Sequence, residues 1–401
     1  MTRLRNIQVS ILLPCPGAWR MMRALSTGVK AVAFEMTKLV GAEFPLFAFS
    51  HCRDVVAAVS RAGGFGVLGG ARFSPQSLEQ ELKWIDDHVD GKPYGVDILI
   101  PEHQAVKAGT SLEAMAAMLP AEHRAFVENL LRRNGIEPKA EPPQGRATTA
   151  YDGEPLLDVA FKHPIRLIAN ALGIAPPIMI ERGRHHGVPV AALVGAKEHA
   201  IRQINAGVDV IVAQGSEAGS HCGEVSTLVL VPEVIAAISK IRKVPVLAAG
   251  GIMTGRQMAG MMAMGAAGAW TGSVWLATTD SETSEVVRDK LVAATSRDTI
   301  RSKYRTGKLS RQLRSAWHEA WETQGAPAAL PMPLMSVLVE PVLQQINSAA
   351  LKGNTQAREL VTYFVGQGVG LIDGVKSATR VVQDFKEDFA DAMSTVMAWS
   401  E

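Results

Sequence analysis

The chain has 401 residues, with 41 basic against 39 acidic side chains and a formal net charge of +2. At that length about three quarters of the unfolded surface can be buried, in one large α/β barrel or two medium domains. The charge balance supplies no global field for nucleic acid or an acidic surface, which leaves small-molecule work as the function class.

In chain order, residues 1–34 carry Arg3, Arg5, Arg20, Arg23 and Lys30, with no acid before Glu35. The apolar run Ile11-Leu12-Leu13 is broken by Pro14 and Pro16 and falls far short of the about 20 residues that span a bilayer. Residues 1–35 therefore read as a disordered extension ahead of Met36, with no membrane span. Cys15, Cys52 and Cys222 are odd in number and far apart, without a CxxC pair. That pattern points to a reducing cytoplasm and to neither a disulfide framework nor a zinc site.

From residue 43 short apolar runs alternate with helical patterns, the signature of repeated βα units. Phe44 to Phe49 reads as the first strand, and Arg53 to Ala62 as a helix ended by Gly63-Gly64. Phe65 to Leu68 is a second strand, Pro75 to Val89 a helix, and Tyr94 to Ile100 a third strand. The period is then lost over 101–163, read as an insertion with a charged helical stretch (Leu112 to Asn134) and a linker (Pro138 to Gly153). Arg166 to Leu172 resumes as strand four, and a helix opens at Pro176-Pro177, where proline suits the first turn. His185-His186 ends that helix before Gly187, where positive charge suits the dipole. Val188 to Val194 is strand five and Ala196 to Ala206 its helix; strands six, seven and eight begin at Val208, Val244 and Ala267, the last running to Leu276.

Eight such units close into a TIM (β/α)8 barrel more readily than they stay open, with an open doubly wound sheet as the alternative. The expected organisation is a barrel over 36–280, including the insertion 101–163 after strand three. A mostly helical region, 281–401, packs on it and closes over its mouth.

Strand six is apolar throughout, as for a strand buried on both faces, and empties into Gly215-Ser216-Glu217-Ala218-Gly219-Ser220-His221-Cys222-Gly223. Carboxyl ends of parallel strands are where such proteins keep their chemistry. His221 suits proton transfer or the polarising of an oxygen near neutral pH; the plain alternative is a structural hydrogen bonder. The flanking Gly219 and Gly223, with Gln214 upstream, favour chemistry. Cys222 is not read as a nucleophile, because loop neighbours point apart and no orienting third group is visible. Glu217 is read as solvated or salt-bridged, and Met258, Met261, Met262 and Met264 as helical core filler.

Gly250-Gly251 ends strand seven before a helix starting near Thr254, and Gly272-Ser273 lies within the predicted strand eight. Alone, Gly-Gly after a strand is a tight turn. Glycine also lets backbone approach an anion, helix N-termini offer free N–H groups, and barrel loops seven and eight are the usual phosphate grip.

Ala213-Gln214-Gly215-Ser216-Glu217-Ala218-Gly219-Ser220-His221-Cys222-Gly223, then Pro245 to Ile252 and Thr271-Gly272-Ser273, resembles the nitronate monooxygenase family, formerly the 2-nitropropane dioxygenases. The similarity runs in outline from about residue 38 to about residue 375. It implies a TIM barrel that holds FMN non-covalently and no metal. It places flavin contacts at Ala48, Phe49, Ser50, Asp97, Gln214 and Gly219, phosphate contacts at Gly251, Gly272 and Ser273, and the catalytic histidine at His221.

Three departures stand out. The family's Gly-Gly-His is Gly219-Ser220-His221 here, its strand-three asparagine is Asp97, and strand one ends Phe49-Ser50-His51-Cys52 rather than in Pro-Met. The segment Gly223 to Pro232 is at least as similar to the related flavin-dependent enoyl reductases of fatty-acid synthesis. The implied activity is oxidation of an alkyl nitronate or nitroalkane with O2, giving a carbonyl compound and nitrite. The alternatives are NAD(P)H-dependent reduction of an enoyl or ring-bearing acyl thioester, with His221 as proton donor, and a flavin-less barrel used as a scaffold.

Overall fold

The computed structural model describes residues 35–100, 110–139 and 153–398. The predicted extension apart from its last residue, Glu35, and the parts of the insertion at 101–109 and 140–152, lie outside the described residues. Residues 35–40 form a short helix, α1.

Eight parallel strands close into a barrel: β1 (Leu46–Ser50), β2 (Phe65–Gly69), β3 (Tyr94–Asp97), β4 (Ile168–Asn170), β5 (Val190–Val194), β6 (Val210–Gln214), β8 (Val246–Ala249) and β9 (Gly268–Thr271). Closure is made by β1 against β9, with Phe47 opposite Trp270, so the open-sheet alternative is excluded. Side chains alternate along each strand. Phe47, Phe65, Val67, Val210, Leu247 and Trp270 fill the interior, whereas Leu46, Ala48, Val96, Ile211 and Val246 face the helices. Continued to the carboxyl ends, the same alternation turns Phe49, Asp97, Leu193 and Gln214 inward at the mouth.

The helices start where local chemistry sets them. Ser74 caps α3 (Pro75–His88) by accepting from Ser77 N. Pro177 opens α7 (Pro177–His186), whose last turn holds His185 and His186 before the left-handed Gly187, as expected. The same layer includes α2 (Arg53–Arg61), α8 (Lys197–Ala206), α9 (Thr227–Ile238) and α10 (Gly255–Ala263). Met258 and Met262 are buried on α10 and Met261 packs against them, the filler role read from sequence. Of the insertion, α4 (Leu112–Ala117), α5 (Ala121–Arg133) and α6 (Glu154–Ala160) are described.

After β9 the chain leaves the barrel through α11 (Glu285–Ala293), β10 (Thr299–Ser302), β11 (Ser310–Leu313), α12 (Ala316–Glu322), α13 (Leu334–Leu351) and α14 (Thr355–Leu360). These build a second core around Trp317, Trp321, Met335 and Val339, which also receives Val127 and Leu131 of α5. The chain then returns to lay α15 (Ala378–Ala398) against α10 and α2. Val381, Val382 and Phe385 of α15 join the main core, and a Cβ on Gly255 of α10 would lie 2.0 Å from Phe385 O. The eighth helix of the barrel is therefore the last helix of the chain, and the expected division at residue 280 runs inside the eighth β/α unit.

Two local expectations change. Strand eight stops at Thr271 rather than Leu276: Gly272 turns the chain (φ −133, ψ −58), and residues 273–277 wind into a 3-10 turn. Trp275 Nε1 locks that turn by donating to Thr271 O at 3.2 Å. Within 281–401 a hairpin, β10 and β11, appears among the helices, and the two-residue β7 (Ser220–His221) pairs antiparallel with β11. A single bridge from Gln312 to Phe364 extends this sheet. Among the described residues, no helix is long and apolar enough to cross a membrane.

Candidate active site

Gln214, from the end of β6, and His221, from β7, line one cavity of 250 Å³ at the barrel mouth. Leu172, Ile174 and Leu193 give it an apolar wall, His199 and Arg202 of α8 stand on its lining, and none of the described lining residues is acidic. His221 Nε2 lies 2.9 Å from Thr306 Oγ1 in the β10–β11 turn. Burial, and then the charge of Lys308, push the imidazole down to about 4, so the ring is neutral near pH 7. A neutral imidazole can take a proton. The neighbouring Cys222 is excluded as a thiolate by the same physics, since burial raises its thiol.

Ser220 explains the family's glycine. It sits at φ +61, the left-handed region, between Gly219, which packs on the backbone of Val365 and Gly366, and His221, which pairs with Ser310. A non-glycine residue there costs about 1 to 2 kcal/mol, partly offset by its smaller unfolded-state entropy. Ser220→Gly is therefore expected to stabilise the protein by up to about 1 kcal/mol in a denaturant titration. A loss of stability would mean that the Ser220 side chain holds the loop.

Glu217 is half-buried and held by hydrogen bonds, where solvation or a salt bridge was expected. Its Oε2 accepts from Thr227 N and Thr227 Oγ1, both at 2.9 Å, which satisfies the start of α9 and removes it as a base. Thr227 Oγ1 is also 2.7 Å from where a Cβ on Gly250 would stand, and Gly250 and Gly251 adopt φ +107 and +71. Glycine is thus required there by the fold itself.

The predicted anion cradle is only partly as expected. The N-terminus of α10 is not free: Gln257 N donates to Thr254 Oγ1 at 3.2 Å, and Arg256 N to Asp388 Oδ2 at 2.7 Å. A carboxylate from α15 therefore already takes an N–H at this helix end. The N–H groups of Gly251, Gly272 and Ser273, by contrast, donate to no acceptor among the described residues. A Cβ on Gly272 would meet nothing within 4 Å. Ser273 Oγ accepts from Gly366 N at 2.8 Å, which ties this loop to the C-terminal segment.

At the β1–β3 side Asp97 is buried and inward-facing, and desolvation raises its carboxyl to about 7. Below that pH it is a neutral acid with an O–H donor, which moderates the charge conflict expected of an aspartate in place of asparagine. The linked stability is largest below the unfolded value of about 3.9 and is lost as pH rises through 7. Phe49 stacks near Trp270 (6.5 Å) and edge-on to His51 (5.2 Å). Ala48 faces the helices and offers the mouth only backbone, whereas Ser50 Oγ accepts from Cys52 N at 3.1 Å and keeps its O–H to donate. A larger cavity of 380 Å³ lies between α15, the loop at Met253-Thr254 and the turn carrying Val274 and Ala277, and its Lys376 is paired with Asp373 and Asp384.

Sequence reading missed Thr306 and Lys308, single polar residues in a turn with no local pattern. Nor did it place Gly366 beside Ser273.

A closed parallel barrel with a neutral imidazole, a buried acid and uncommitted backbone donors at its carboxyl end has the layout of TIM-barrel enzymes. The family model for nitronate monooxygenase matches residues 35–388; the chain belongs to this family and is an oxidoreductase. It is 53% identical over 365 residues to "Putative monooxygenase Rv1533" of Mycobacterium tuberculosis, covering 89% of this chain and 96% of that one. It is 30% identical over 298 residues to "Probable nitronate monooxygenase" of Staphylococcus aureus, covering 71% and 79%. The crystal structure of nitroalkane oxidase from Streptomyces ansochromogenes superposes with a TM-score of 0.73 at 25% identity, over 90% of this chain and 99% of that one.

Proposed function

We propose that the protein is an FMN-dependent nitronate monooxygenase that oxidises alkyl nitronates with O2, releasing a carbonyl compound and nitrite. The observation that carries this is the neutral His221 with Gln214 on a cavity whose described lining holds Arg202 and no acid, at a mouth that also offers unspent N–H donors. The residues fit FMN. Gly251, Gly272 and Ser273, with Gly250 shaping the turn, would hold its phosphate. Gln214, Gly219, Asp97, Phe49, Ser50 and the backbone of Ala48 would hold its ring. Bound FMN supplies the electron acceptor and the site of oxygen chemistry.

The chain's own residues do the rest. Arg202 draws an anionic nitronate toward the apolar wall. His221 removes the α-proton when a neutral nitroalkane is used, and the Gln214 amide, which carries donors, would bind the nitro oxygens. The sheet made by β7, β10 and β11 limits water at the imidazole.

Holoenzyme mixed in air with propyl-2-nitronate is expected to consume oxygen and release nitrite, and NADH or NADPH added anaerobically is expected to leave the flavin absorbance unchanged. Rapid bleaching by a pyridine nucleotide without nitrite release would reassign the enzyme to enoyl-thioester reduction.

A further inference from the structure

The Thr306 hydroxyl has one proton and three polar neighbours. Its Oγ1 donates to Lys308 O at 3.1 Å, accepts from Lys308 N at 3.3 Å, and stands 2.9 Å from His221 Nε2. A carbonyl oxygen can only accept, so the hydroxyl proton belongs to Lys308 O, and the bond with the imidazole needs the proton to come from the ring. The reverse arrangement would leave two oxygens facing each other without a proton, and would put the ring proton on Nδ1, which has no acceptor among the described residues.

The turn is rigid enough to impose this choice. Thr306 is buried, and Gly307 (φ +84) packs so closely on 330–332 that a Cβ would lie 2.3 Å from Leu330 O. We propose that Thr306 is a positioning residue that holds His221 as the Nε2–H tautomer and so presents the Nδ1 lone pair to the cavity. In a neutral ring only one nitrogen is a base, so the tautomer decides which atom meets the substrate. The mechanistic weight of this inference rests on the reading of His221 as the reacting imidazole; the tautomer itself does not.

The test is the nitrogen chemical shifts of His221 in FMN-loaded protein labelled with 15N-histidine, its signals assigned by their loss in His221→Gln. Wild type and Thr306→Ser are expected to show Nδ1 unprotonated and Nε2 protonated. Thr306→Val, which removes the acceptor, is expected to shift His221 to a mixture or to the Nδ1–H form. An Nδ1–H ring in wild type, or an unchanged ring in Thr306→Val, overturns the proposal. If Thr306→Val does not fold, the wild-type and Thr306→Ser spectra still decide it. None of these readouts depends on turnover, so an inactive enzyme with the expected tautomer would sink the functional reading alone.

Discussion

His221→Ala is expected to keep FMN bound while lowering kcat/KM for a neutral nitroalkane by about 10² to 10⁴, the usual contribution of a positioned base. The loss should be smaller with the pre-formed nitronate, which has no α-proton to remove. The imidazole is anchored through Thr306 and the proposed anion cradle uses backbone N–H groups, so on this reading the substitution removes a base and not a phosphate ligand. The pH profile carries a second signature. A histidine held down to about 4 stays neutral as pH falls through 6.5, so wild-type kcat/KM should show no His221 limb until the pH approaches 4. Equal losses on nitroalkane and nitronate would reduce His221 to a binding role. Undiminished turnover of both would remove it from the reaction.

Gly272→Ala is expected to weaken FMN binding roughly 5- to 100-fold while leaving folding stability within about 0.5 kcal/mol of wild type. Gly272 lies at φ −133, which alanine accepts, and its Cβ would meet no protein atom within 4 Å. Anything that notices the added methyl must therefore be a ligand. Gly250→Ala is the contrast: at φ +107, with Thr227 Oγ1 2.7 Å from the new Cβ, it should destabilise the fold whether or not FMN is present. Equilibrium titration with FMN and thermal denaturation of the apoprotein separate the two. An unchanged FMN affinity in Gly272→Ala would place the phosphate elsewhere.

The barrel was legible because strands buried on both faces are short, apolar and evenly spaced, and their ends are marked by glycines. The runs ending at Gln214 and Ala249 are examples. Gln214 and His221 could be paired from sequence since a strand end and the loop after it are local. The hairpin Thr299–Leu313 was not legible: Thr-Ile-Arg-Ser and Ser-Arg-Gln-Leu lack an alternating apolar face. Partnerships made across the fold were equally hidden. Thr306 reaches His221 from 85 residues away, and Asp388 takes the first turn of α10 from 132 residues away. The change in Asp97 is a property of its burial and has no sequence pattern at all.

That α15 is the barrel's eighth helix has a consequence for biosynthesis. A nascent chain that has emerged from the ribosome through Thr271 has made all eight barrel strands, yet Arg256 N still awaits Asp388, and Phe385 has not covered α10. Thr306 and Gly366 are also still to be translated. Completion of the wall and that of the barrel mouth therefore both wait for segments translated after the eighth strand, and a product terminated at Thr271 has neither.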